Sequence, residues 1–106
     1  MIIGAGMAVH NIREHFRHPN PSTPAAYTVS FDEALREAVE GSVNGRGERM
    51  ADLLKRGDAK KAHPSWDHLW PIFVAAGAGG SDEGSRTWTL CEGSLSWGMF
   101  RFGEVV

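Results

Sequence analysis

The first nine residues, Met1 to Val9 (MIIGAGMAV), constrain the fold most. They form an apolar, small-residue run that suits a buried strand, and they end at His10-Asn11, where such a strand would deliver side chains into a cleft. A strand must find partners for its backbone groups. Nothing strand-like follows until Arg86, so the initial strand is expected to pair with a distant C-terminal one.

The intervening chain reads as helices. Phe16 to Thr28 carries Pro19, Pro21 and Pro24 and is predicted to be an irregular loop. Ser30-Phe31-Asp32-Glu33 has the form of a capping box. Phe31, Leu35, Ala38 and Val39 recur after it at helical spacing, and Gly41 is placed to stop a helix over 30–40. A second helix is predicted over 46–56, with Met50, Leu53 and Leu54 as its apolar stripe and Gly57 as its end. Lys60 and Lys61 then fall in a linker. A third helix is expected over 65–76, capped by Ser65 and kinked by Pro71, whose ring clashes with the preceding turn.

Residues 76–85 read as a glycine-rich flexible loop, followed by strands over 86–90 and 94–102. The last of these would place Leu95, Trp97 and Met99 on one face. The fold class is therefore α/β: the C-terminal part of a mixed central sheet flanked by helices, incomplete because the first strand has no visible neighbour beyond the C-terminal pair. Residues 1–106 are expected to form one domain portion.

Composition narrows the partners. The 11 basic and 13 acidic residues are well mixed, and without a basic stripe no nucleic-acid partner is expected. Cys91 is the sole cysteine, which rules out an internal disulfide and a cysteine-pair zinc site and points to a reducing, cytoplasmic compartment. The N-terminal run lacks the basic flank of a signal peptide. Nothing approaches the roughly 20 apolar residues of a membrane span, so no membrane partner is expected.

The residues able to carry chemistry are histidines. His10 sits at a predicted strand end, and imidazole serves both as metal ligand and as proton shuttle. On spacing alone, a hydrogen-bonded histidine at a strand terminus is the favoured reading. His63 and His68 are five apart, so they do not share a helix face as an i, i+4 metal pair would. On sequence alone the favoured reading is a solvated loop histidine and a first-turn histidine packed on tryptophan. His15 and His18 read as solvated, and the hydroxyls of Ser94 and Ser96 as satisfying backbone groups. No G-x-S-x-G elbow and no phosphate-binding glycine loop occur.

Three segments in order, GAGMAVHNIR, HPSWDHLWPIFVAAGA and EGSLSWGMFRF, together resemble the C-terminal portion of a class III extradiol ring-cleavage dioxygenase. Within that family the DOPA 4,5-dioxygenase-like group is the most similar branch. The resemblance spans Ile2 to about Phe102, with the linking helices agreeing in pattern only. It implies a mononuclear non-haem Fe(II), with Zn(II) in some members, and a catechol substrate opened beside its diol by O2. By the same resemblance His68 matches a metal ligand, His10 matches the histidine at the metal as ligand or acid/base, and His63 matches a position lining the substrate site. Neutral imidazoles suit Fe(II), and Asp67 or Asn11 could orient a ring.

The family's N-terminal part carries further metal-site histidines in Gly-His-Gly-Ser-Pro and Ser-Ala-His-Trp segments, and neither occurs here. The resemblance therefore implies a missing N-terminal half as partner, and weak activity of this chain alone. The reading from a different class is a non-catalytic interaction fragment. In that case Trp66, Trp70, Trp88 and Trp97, all in the second half of the chain, would present an apolar surface to a partner.

Overall fold

The computed structural model describes residues 1–17 and 20–104. Among the described residues, two small antiparallel sheets and five helices give the α/β character expected. In the first sheet, β1 (Val9–His10) pairs with β4 (Leu95–Ser96), which pairs in turn with β3 (Cys91–Glu92). In the second, β2 (Gly84–Trp88) pairs with β5 (Met99–Phe102). The initial strand does meet a C-terminal one, with Val9 opposite Ser96 and His10 opposite Leu95. It is much shorter than its apolar run, because residues 1–6 lie exposed without a ladder.

The core forms around α2 (Ala26–Glu40), whose Phe31, Leu35, Ala38 and Val39 are buried. Met50 and Leu53 of α3 (Arg46–Leu53) join them, with Ala59 and Ala62 of α4 (Ala59–Ala62), Leu69, and Ala8 and Val9. Phe31 and Leu35 are wholly inaccessible, and each such burial is worth about 1.5–3 kcal/mol. α1 (Ile12–Arg17) starts where Asn11 accepts the Glu14 N–H at 3.1 Å, an N-cap contact the sequence pattern did not signal.

Several boundaries differ from expectation for physical reasons. α2 begins four residues before Ser30, just after Pro24, with Ala25 in an extended conformation. The Ser30 hydroxyl instead donates to Asp58, at 2.6 Å. Lys60 and Lys61 are helical rather than linker. α5 (Trp70–Gly79) starts five residues later than expected, so Pro71 falls in its first turn, where a missing N–H costs nothing and no kink follows. The same helix runs into the expected loop and stops at Gly80, whose φ of 55° favours glycine.

The expected last strand is two strands, β4 and β5, in different sheets. Leu95 is 6% exposed whereas Trp97 and Met99 are 44% and 58% exposed. The face that packs inward from β5 is Phe100 and Phe102.

Two buried polar groups tie the layers together. The Asp32 carboxylate, on α2, accepts from Arg86 at 2.9 Å, from Thr89 at 3.1 Å and from the Ser96 hydroxyl, joining the helix to both sheets. The buried Arg46 guanidinium donates to the carbonyls of Ala76 (3.2 Å), Gly80 (2.9 Å) and Asp82 (2.6 Å). These include terminal carbonyls of α5 that the helix itself leaves unpaired.

Candidate functional site

His10 ends β1, and His68 lies in the turn that leads into α5. The Met7 N–H donates to the His68 carbonyl at 2.9 Å, which holds the turn against the N-terminal segment. Gly6 makes this approach possible. A methyl group on Gly6 would overlap the His68 carbonyl oxygen, and one on Gly4 would come within 2.7 Å of the Pro71 carbonyl oxygen. The backbones touch because neither glycine carries a side chain.

The result is a stacked pair of imidazoles. The ring centroids of His10 and His68 are 3.7 Å apart and their planes differ by 17°. Burial, and then the neighbouring His68, lower the pKa of His10 from the usual imidazole value. The Asp67 carboxylate lies 3.3 Å from His68 Nδ1 and is itself held by the Ser65 hydroxyl. That bond, more than anything else, keeps the Asp67 carboxyl below the ordinary carboxylate range. Ser65 thus holds an acidic side chain at the site and does not cap a helix. Asn11 does not support the rings, since its amide caps α1 and donates to the Lys61 carbonyl at 2.7 Å.

His63 is wholly buried. Its Nε2 pairs with the Ala8 carbonyl at 2.8 Å, and Phe31 meets its ring edge-on at 5.4 Å. The other nitrogen, Nδ1, is buried without a partner, and burial lowers the ring's pKa. The ring therefore stands behind β1, bonded two residues before His10, rather than on the open cavity. His15 is half-buried on α1, with Nδ1 enclosed beside Gly93, and is not the solvated group expected. His18 and Pro19 lie outside the described residues.

An open cavity of about 1190 Å³ reaches the imidazole pair on its His68 side, and His10 does not line it. His68, Pro71, Trp88, Trp97, Met99 and Phe100 line it together with residues 1–8.

The pair's fit to a metal ion follows from its geometry. An imidazole nitrogen offers its lone pair in the ring plane, and metal–nitrogen distances are about 2.0–2.1 Å. Rings stacked 3.7 Å apart direct their lone pairs side by side rather than towards one point. Among the described residues no three histidine, cysteine or carboxylate groups converge to hold an ion. The arrangement as it stands does not fit a complete metal centre. It does stack a depressed-pKa imidazole, His10, on a second imidazole, His68, that lines the cavity and is paired with a carboxylate, and such a set can handle protons.

With that geometry in hand, the similarity to known proteins becomes informative. The chain is 30% identical over 117 residues to the "4,5-DOPA dioxygenase extradiol" of Portulaca grandiflora, an alignment covering 99% of this chain and 38% of that protein. The protein of the same name from Mirabilis jalapa is 29% identical, with 96% of this chain and 38% of that protein covered. For the one from Beta vulgaris the identity is 30%, with 96% and 37% covered. The chain thus spans under two-fifths of the length of these curated relatives. No family model and no solved structure matches it. No helix among the described residues is long and apolar enough to cross a membrane.

The Asp32 cluster was not anticipated. The hydroxyls of Ser94-Leu95-Ser96 were its signal in the sequence, and they suggested backbone satisfaction. That holds for Ser94, whose hydroxyl donates to the Asn11 carbonyl, but Ser96 donates to Asp32.

Proposed function

We propose that this chain supplies two histidines, His68 on the cavity wall and His10 stacked on it, to an extradiol dioxygenase site that opens catechols of the DOPA type with O2. The observation that carries the proposal is the stacked His10–His68 pair beside an open cavity, in a chain similar along nearly its whole length to proteins named DOPA dioxygenases.

In this reading His10, with its depressed pKa, stands neutral near pH 7 and accepts a proton from a catechol hydroxyl. His68 is oriented by Asp67 and faces the same substrate. His63 is a positioning residue: buried behind β1 and bonded to Ala8, it sets where His10 stands, and its free Nδ1 is the part of it nearest to a substrate role. Fe(II), with Zn(II) as the alternative, is proposed for the assembled protein only, where donors beyond these two imidazoles are required. When bound it would supply open coordination positions for the diol and O2.

The test is oxygen uptake and formation of the yellow ring-opened product from DOPA in the presence of Fe(II). It is run on the 106-residue chain alone and co-expressed with the part of the Portulaca grandiflora relative that the match leaves out. Turnover is expected in the second case, falling by about a hundredfold in His10→Ala and comparably in His68→Ala. The chain alone is expected to turn over slowly or not at all, because its donor set is open. Absence of product in both cases, or turnover that survives both substitutions, would overturn the reading.

A further inference from the structure

The hairpin of β3 and β4 carries an acidic and an aromatic side chain that neither the core nor the imidazole pair uses. In the first sheet His10 stands opposite Leu95, and Leu95 stands opposite Glu92. Residues directly opposite each other in a ladder share a face, so His10, Leu95 and Glu92 form one row across the sheet. The neighbouring row, Val9, Ser96 and Cys91, belongs to the other face, where Ser96 meets Asp32. Trp97 lies two residues beyond Leu95 on the same strand course and therefore shares the face of Glu92. Strands spaced about 4.8 Å set the His10 and Glu92 backbones about 10 Å apart along the row.

At the far end of that row the Trp97 indole N–H donates to the Glu92 carboxylate at 2.9 Å. The bond fixes the indole edge against the acid and leaves much of the ring open, since Trp97 is 44% exposed. The second Glu92 oxygen has no hydrogen-bond partner and no paired cation among the described residues. Both side chains line the same cavity as His68. A carboxylate beside an indole suits an ammonium group, which donates to the acid while the ring attracts its charge. An anion finds no partner there. Residues 88–98 contain Glu92 but no lysine or arginine, and Arg101, further along the cavity wall, pairs with Glu104 at 3.7 Å.

Length supplies the remaining constraint. A phenyl ring with a two-carbon amine arm spans about 8 Å from ring hydroxyl to nitrogen, on bonds of about 1.5 Å. That is comparable to the row from the imidazole pair to Glu92. We propose that Glu92 and Trp97 bind the ammonium group of a catechol whose side chain is a two-carbon amine without a carboxylate. The diol end of this ligand rests on the functional reading above, whereas the ammonium end rests on the hairpin alone.

The experiment separates the two ends. Phenethylamine has the amine arm and no diol, 3-phenylpropionate has similar length and the opposite charge, and phenylalanine carries both charges. Each is titrated calorimetrically into the 106-residue chain, followed by dopamine and DOPA. Phenethylamine should bind and 3-phenylpropionate should give no heat of binding. Phenylalanine should bind about tenfold more weakly than phenethylamine, and DOPA more weakly than dopamine by a similar factor. Glu92→Gln keeps an acceptor for the Trp97 N–H and removes the charge. Its thermal midpoint should hold while phenethylamine affinity falls about tenfold. Trp97→Phe keeps an aromatic face and should lose less affinity than Trp97→Leu.

Absence of phenethylamine binding would overturn the proposal. Equal binding of 3-phenylpropionate would do so too, because the cavity would then be holding the ring alone. Unchanged affinity in Glu92→Gln would remove the acid from the site, and DOPA binding as tightly as dopamine would refute the exclusion of a carboxylate. None of these measurements uses turnover. Amine binding by a protein that opens no catechol sinks only the functional reading, and DOPA turnover without amine binding sinks only the ammonium site.

Discussion

The Asp32 cluster, which joins α2 to β2 and β4, and the imidazole pair, which joins β1 to the turn before α5, are both polar, yet they are opposites in completeness. Asp32 is 3% exposed and receives donors from Arg86, Thr89 and Ser96. A carboxylate can only accept, and here its acceptors are filled by three partners that hold helix to sheet. At the imidazole pair, by contrast, two rings face each other without a shared proton, His63 Nδ1 has no partner, and the adjoining wall offers unpaired backbone. Satisfied polar groups in this molecule hold the layers together. The backbone left unpaired at residues 1–6 lines the cavity, whereas the unpartnered His63 Nδ1 lies behind β1.

The largest expected effect tests the satisfied side. Asp32→Ala leaves the Arg86 guanidinium and two hydroxyls without their shared acceptor in a buried place. Removing one partner of a buried ion pair costs about 3–5 kcal/mol. Urea denaturation should show a midpoint lowered accordingly. A loss below about 1 kcal/mol would mean that the cluster behaves as a surface ion pair and that the contrast is overdrawn.

His63 gives an intermediate effect with a definite sign. Burial lowers its pKa in the folded chain, so below about pH 6.5 the unfolded chain binds a proton that the folded one does not. The stability contribution is therefore complete above that pH and is lost on acidification towards the lower, folded pKa. Thermal midpoints measured from pH 7.5 to 5.5 should fall. The slope should flatten in His63→Gln, which has no titrating group but keeps a donor for the Ala8 carbonyl. An identical slope in the variant would remove His63 from the account.

The smallest effect belongs to the open side. His10→Ala and His68→Ala delete rings that are half-exposed and anchor no other element, so each should alter stability by about 0.5 kcal/mol or less. The same substitutions are expected to abolish most turnover in the assembled protein. A large loss of stability would recast the stacked pair as a structural contact.

What could be read from the sequence was what depends on local pattern. Phe31, Leu35, Ala38 and Val39 announced the buried face of α2 by their spacing, and all four are core residues. The apolar run before His10 announced a strand needing a C-terminal partner, which it finds in β4. Element starts were misread where two residues compete for one role. Ser30 looked like a cap, but Pro24 already ends the extended approach and α2 begins at Ala26. Pro71 looked like a kink because Ser65 looked like a start, whereas the hydroxyl serves Asp67.

Long-range chemistry was harder to see. Asp32 finds donors more than 50 residues away in Arg86, Thr89 and Ser96, and no local pattern encodes such a meeting. His10 and His68 were singled out by motif, while their stacking depends on where Gly6 lets the His68 turn rest.

The gap between the two imidazoles is gauged by the thickness of a bare backbone, since Gly6 lies against the His68 carbonyl with nothing between them. A single methyl group at position 6 would act as a shim, pushing the turn outward and parting the rings without altering either one. Tolerance in the spacing of the pair is thus set by a residue that has no functional group at all.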